Sequence, residues 1–443
     1  MTFPVAAVER SSFILAAVLS VLLMLYSPPS MALQPIEAFA AAARGHNPDA
    51  LEAQANVSQQ DAQADVALGR VLPGVSARGS YARNQYSSSI TIPGFAQPVT
   101  ITPYNQWIGS ATLSVPLVDL ANFRRVGATR TSAASSAQQL TATGLQVESQ
   151  VVQDYFQLVA NLALVTAANN ALAVSRQSLL LAEAQYKAGA AAVLDVDRAR
   201  ADVEQQVQQV ASAELQVALA ARALQSTSGV TPDISAAVEL ADDLHPEPEL
   251  SVFESSVAGL PSVAAAALNT RAAEEQAQAE RFALAPSIAG NFTENATNAP
   301  GFVGHDWYYQ GAITFNWSLD LTNLGNIRGQ DAAVAVARAR ELRTRLSAAD
   351  SIHKQWSTVV SGIARSRSAR VGRAAADHAA VLARERYRVG TITQLDLLQA
   401  QRDAFNAEVS RIQADADLVN ARVQLRLSSG QSLLTATARH GAG

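Results

Sequence analysis

The chain has no cysteine. That excludes disulfides, thiolate zinc sites and a lipid anchor on an N-terminal Cys. Lysine stands only at Lys187 and Lys354, and the formal net charge is −5. Nucleic acid, which demands a basic face, is therefore not an expected partner. The six histidines (His46, His245, His305, His353, His378, His440) are scattered without ligand spacing, so neither a metal nor a cofactor is expected. No Ser/His/Asp arrangement, phosphate loop or pair of carboxylates in a plausible pocket is present, which argues against an enzyme. Proline is missing from residues 117–231 and from residue 301 to the end. A proline inside a helix costs about 3 kcal/mol, so these two stretches are where long helices can run.

Long apolar runs are also scarce. The principal one, Phe13 to Tyr26, follows Arg10 and precedes small residues at Ser30 and Ala32. It falls short of the ~20 apolar residues that span a bilayer, and reads as a secretory signal occupying residues 1–32. A retained membrane anchor is the alternative. The mature chain is expected to begin near Leu33, exported and soluble by hydropathy, although membrane β-barrels carry only a weak alternating signal.

In the first proline-free stretch an apolar heptad runs Val151, Leu158, Val165, Leu172, Leu179, Tyr186, then Val196, Val203, Val210, Val217, Leu224. The second repeats it more loosely with Leu342, Trp356 and Ile363, then Leu398, Phe405, Ile412 and Val419. Heptads sustained this far argue coiled coil. A helix from about Arg125 to Lys187 would reach on the order of 90 Å. Each stretch is interrupted by the same line: "QYKAGAAAVLDVDRA" from Gln185 and "RYRVGTITQLDLLQA" from Arg386. Gly189 and Gly390 suit a helix C-terminal stop, and Asp195 and Asp396 suit the first turn of a returning helix. The line is the tip of a helical hairpin, and the chain has two.

The duplication reaches further, matching Pro48 to Pro261 and Pro73 to Pro286. Each half reads helix, strand, loop, strand, long helix, tip, helix. The expected divisions are a first repeat over 33–229, a connector over 230–259, a second repeat over 260–430 and a disordered tail over 431–443. In Trp307 to Leu319 one face holds Trp307, Tyr309, Gly311, Ile313, Phe315, Trp317 and Leu319, against Tyr308, Gln310, Ala312, Thr314, Asn316 and Ser318. Trp107 to Leu117 alternates likewise. Such strands suit either a soluble sandwich or a membrane barrel with an aromatic girdle at Trp107, Trp307, Tyr309 and Trp317. Beside exported helical hairpins, the membrane reading is preferred. Four strands cannot close a barrel, so the chain must share one with copies of itself.

With its paired "Y-x-x-G-x-x-x-x-L-D" tips, the "LDLLQAQRDAFNAEV" that follows the second, and the "NP…LP" helix-to-strand signature, the chain resembles the TolC family of outer-membrane efflux channels, which includes TolC and OprM. The resemblance implies a mainly α fold with membrane β. It implies a homotrimer whose twelve-strand outer-membrane β-barrel, four strands per chain, continues as a long α-helical coiled-coil barrel through the periplasm of a Gram-negative cell. It implies a passive duct in outer-membrane lipid, serving a periplasmic adaptor (membrane fusion protein) and an inner-membrane pump of RND, MFS or ABC type. By the same resemblance the periplasmic gate falls on Asp195, Tyr387, Asp396 and Gln399. The adaptor contacts fall on Ala188, Gly189, Ala190, Leu194, Val389, Gly390, Thr391 and Leu395, and 230–259 is the equatorial region. A tyrosine at Tyr387 is linked in the closed family channel to an acid at Asp195. The family's second link falls on Ile392 and is missing; of its two acidic rings, Asp396 is kept and Gln399 is neutral. Asp195 and Asp396 are alternatively simple helix-start residues, and Tyr186 and Tyr387 coiled-coil plugs. Export of drugs and toxic small molecules leads; protein secretion of type I and a periplasmic coiled-coil adaptor are the alternatives.

Overall fold

The computed structural model describes residues 33–91, 98–234, 242–319 and 321–434. The expected signal at 1–32 and the tail from 435 onward lie outside the described residues.

The two halves follow one order of elements, apart from a short two-strand hairpin found only in the first among the described residues. The first runs α1 (Ile36–His46), α2 (Pro48–Gly69), β1 (Gly74–Arg83), β2 (Ser88–Ile90), β3 (Val99–Thr102), β4 (Asn105–Val118), α3 (Leu120–Lys187) and α4 (Val193–Ser228). The second runs α5 (Leu250–Glu254), a 3-10 turn (Val257–Gly259), α6 (Pro261–Phe282), β5 (Ser287–Thr297), β6 (Trp307–Asn316), α7 (Leu321–Arg388) and α8 (Gln394–Ser428). Corresponding helices have 22 and 22, 68 and 68, and 36 and 35 residues. Agreement at this level marks one structural unit used twice.

Three details depart from the sequence reading. The first long helix begins at Leu120, not near Arg125, because Asp119 caps it by accepting the Asn122 N–H at 2.9 Å. The last strand ends at Asn316, so Trp317 and Leu319 lie beyond it; the Trp317 indole N–H instead donates to the Leu284 carbonyl at 3.1 Å. And α3 contains an 18-residue window of mean hydropathy 1.5, apolar enough by composition to cross a membrane, with 44% of that window buried within the chain. Its alanines, valines and leucines serve helix packing.

Contacts divide the chain into two units: Met1–Asn47, Gln146–Leu250 and His353–Gly443 form one, Pro48–Leu145 and Ser251–Ile352 the other. Each unit draws on both halves.

The first unit is a set of helices. Much of the leading heptad is buried here, with Val151, Leu158 and Leu224 at 0%, whereas Val165, Leu179 and Val210 are half-buried and Tyr186 is exposed. Ala160 and Ala167 of α3 meet Ile412 and Ala416 of α8, small residues that let the axes approach closely. Phe39 of α1 packs on Tyr155, ring centroids 6.0 Å apart. Glu148, fully buried, accepts from Arg44 of α1 at 2.5 Å, from the Ser432 hydroxyl at 2.9 Å and from the Leu433 N–H at 3.1 Å. One carboxylate thus ties both ends of the described chain to α3. The described part of the connector is pinned as well. Arg422 of α8 donates to both Asp242 oxygens at 2.8 and 3.1 Å and to Glu247 at 2.5 Å, all three side chains buried. The Trp356 indole N–H donates to the Pro248 carbonyl at 2.9 Å.

The second unit holds an antiparallel sheet in the order β1-β4-β5-β6, with β2 and β3 a separate short hairpin. Ser114 donates to Asn291 at 2.8 Å and Asn291 to Thr314 at 3.2 Å across one face, where Thr112 and Thr293 hydroxyls also meet at 3.0 Å. The other face carries Leu113 opposite Phe292, with Phe292 stacked on Tyr309 at 5.7 Å. One face is mainly polar and the other mainly apolar, with Glu294 an exception on the latter, and β1 and β6 form the sheet's edges. Beneath it, α3 joins α6 through Arg125–Glu280 at 2.9 Å and Thr131–Glu275 at 2.8 Å.

Candidate gate at the hairpin tips

Both tips are built by the same backbone device. At the end of α3, Gly189 takes φ 75°; its N–H donates to the Tyr186 carbonyl at 2.9 Å and the Ala190 N–H to Gln185 at 2.8 Å. At the end of α7, Gly390 takes φ 77°, with the Gly390 N–H on Tyr387 at 3.0 Å and the Thr391 N–H on Arg386 at 2.9 Å. This paired closure needs a residue in the left-handed region, which glycine enters without a Cβ clash.

The returning helices start differently. Thr393 caps α8: its hydroxyl accepts the Asp396 N–H at 3.2 Å, while Asp396 accepts the Thr393 N–H at 3.0 Å and its hydroxyl at 2.7 Å. That hydroxyl, and then the backbone N–H, hold the Asp396 carboxyl below its usual range. At α4 the cap residue is Ala192, so only the reverse half exists, Ala192 N–H to Asp195 at 3.3 Å. Asp195 also lies 3.8 Å from Arg198.

Of the expected gate residues, Tyr387 is 5% exposed, and its hydroxyl is shielded from water without a hydrogen-bond partner. No hydrogen bond joins it to Asp195. Burial, and then the Asp195 charge, push the Tyr387 phenol above its usual range, so the two groups feel one another. Asp396 and Gln399 are exposed, and Gln399 donates to Asp403 at 2.9 Å. Among the expected adaptor contacts, Ala188, Gly189, Ala190, Gly390 and Thr391 are exposed, and Leu194, Val389 and Leu395 present bare apolar side chains to solvent at 53, 66 and 58%. Val193, at 57%, belongs with them and was missed because it falls on an unspecified position of the motif, just before its Leu-Asp. The tips are tied by Gln185, whose amide donates to the Tyr387 carbonyl at 3.1 Å. Gln394 is a second missed residue: 2% exposed, it leaves both amide atoms unpartnered. Nothing in "TQLDLL" marks that glutamine as buried, since its surroundings come from the fold. Of the expected girdle residues, Trp107, Trp307 and Tyr309 on the strands are 46, 68 and 72% exposed, and Trp317, just past the last strand, is 63% exposed.

The sequence matches the family described as outer membrane efflux protein over residues 40–230 and 253–431. The antibiotic efflux pump outer membrane protein ArpC and the toluene efflux pump outer membrane protein TtgC, both of Pseudomonas putida, are each 25% identical over 406 residues, covering 87% of this chain and 80% of theirs. The solved outer membrane protein VceC of Vibrio cholerae superposes with a TM-score of 0.76 at 17% identity, covering 89% of this chain and 96% of that one.

Proposed function

The chain belongs to the outer membrane efflux protein family, and from that premise we propose that it is the passive outer-membrane duct of a Gram-negative efflux pump, working as a homotrimer. The observation that carries the reading is the four-strand sheet. It has one mainly polar face, one mainly apolar face with exposed aromatics, and two edge strands, β1 and β6, each paired on one side only among the described residues. Open edges are not tolerated in hydrocarbon, and three copies would close them. The relatives named for antibiotic and toluene efflux support small toxic organic molecules as cargo, delivered by an inner-membrane pump through a periplasmic adaptor. The bare Val193, Leu194, Val389 and Leu395 at the tips supply an apolar surface for that adaptor.

In this reading the tips form the gate. Three copies of Asp396 around one axis repel each other and attract cations, while Tyr387, beside Asp195, is placed to latch the closed state. Such links are individually modest, so an adaptor that prefers the open tips shifts the population. Reconstitution into planar bilayers tests both levels. Trimers should conduct, and divalent cations added on the tip side should block. Asp396→Asn keeps the cap's acceptor and removes the charge, so block should weaken while the trimer still assembles, at a slightly lower melting temperature. Absence of conductance defeats the duct; unchanged block removes Asp396 from the constriction.

A further inference from the structure

Above the tips, within the helical unit, a cavity of 740 Å³ opens among α3, α4, α7 and α8. That is the size of sites that hold drug-sized molecules. Its apolar lining combines alanines, among them Ala167, Ala171 and Ala380, with Val174, Phe405 and Ile412. Its charged lining is almost fully matched. Arg402 meets Asp202 at 3.3 Å, Arg373 meets Asp377 at 2.8 Å and Glu408 at 3.1 Å, and Arg411 meets Glu408 at 2.8 Å.

Arg384 is the exception. Among the described residues no carboxylate pairs with it, and its Nε is shielded from water with no acceptor. Two acceptors in the same wall are also unmet. Gln206, 7% exposed, and Gln401 each leave a side-chain carbonyl oxygen shielded and without a donor. Shielded polar groups without partners are uncommon in folded proteins and call for an explanation. These three line one cavity, and their needs are complementary: one cationic donor lacks an anion, and two carbonyls lack N–H or O–H donors.

We propose that this cavity binds a small amphipathic zwitterion. Its carboxylate sits on the Arg384 guanidinium, its ammonium on the carbonyl oxygens of Gln206 and Gln401 once those side chains turn into the cavity, and its apolar body lies over Ala167, Ala171 and Phe405. Guanidinium and carboxylate match in charge and shape, which favours an anionic head here over a neutral one. The site goes beyond the duct reading: it belongs to the helices alone, and bilayer conductance and ligand binding are separate measurements.

The test uses the purified full chain in detergent and three fluorescent probes sharing one apolar body. ε-Dansyl-lysine carries both charges, dansylcadaverine lacks the carboxylate, and 6-(dansylamino)hexanoate lacks the ammonium. ε-Dansyl-lysine should give a saturable, blue-shifted emission, with each single-charge probe about tenfold weaker. Arg384→Gln should bring ε-dansyl-lysine down to the level of dansylcadaverine, and Ala171→Phe should abolish binding by filling the apolar end. Should Arg384→Gln fail to assemble, the ranking of the three probes on the unmodified chain decides. Equal binding of ε-dansyl-lysine and dansylcadaverine, or undiminished binding by Arg384→Gln, overturns the assignment. So does the absence of saturable binding by any probe, which leaves the cavity to a neighbouring protein chain.

Discussion

Tyr186 and Tyr387 stand at the same place in two copies of one line, yet Tyr186 is 49% exposed and Tyr387 5%. The duplicated line thus serves two different surroundings, and only Tyr387 is packed away from solvent. A buried hydroxyl without a partner lacks compensation for lost water, so Tyr387→Phe should leave stability unchanged or raise it by about 1 kcal/mol. If the hydroxyl reaches Asp195 in the closed trimer, the same substitution also raises single-channel conductance; conductance at the wild-type value reduces Tyr387 to a packing residue. Glu408 supplies a pH prediction. It bonds Arg411 at 2.8 and 3.0 Å, and that hydrogen bonding, with the charges of Arg411 and Arg373, holds its carboxyl below the usual 4.5. A folded-state value below the unfolded one contributes stability above pH 4.5, lost as pH falls through the folded value. Glu408→Gln should therefore lower the urea midpoint at pH 7 and narrow its difference from the midpoint at pH 3.

At the scale of elements, the tips and long helices were legible because their determinants are local. A glycine stop, an acid at the third helical position and a seven-residue apolar repeat each lie within a few turns. The connector was not legible beyond its irregularity. Asp242 and Glu247 meet Arg422 across 180 and 175 residues, and no local pattern announces such a pairing. Gln394 and Arg384 were missed for the same reason, since their isolation is a property of packing. The last strand was read past its end because alternation continues through Trp317 after the pairing partner has turned away into α6. Arg422→Met tests the connector clamp. It leaves two buried carboxylates without a cation, a loss of about 3–5 kcal/mol. Thermal melting should drop, and hydrogen exchange should quicken selectively over residues 242–250. Unchanged exchange there means the ion pairs do not hold the segment.

For the whole molecule, the duct reading rests on edges. Since the chain carries no native cysteine, engineered pairs report without background. One cysteine on β1 and one on β6 should form disulfides between chains, giving an oxidant-dependent ladder that ends at the trimer on denaturing gels. Monomer alone, at every register tried, would defeat the shared barrel.

The matched 68-residue helices also bear on how such a protein changes over time. One added heptad displaces a tip by about 10 Å. An insertion in a single copy would leave one loop of each hairpin pair stranded beyond the other, and the rim at the tips would be ragged. Length in this molecule is therefore inherited in duplicate: a viable lineage lengthens or shortens both copies together, or neither.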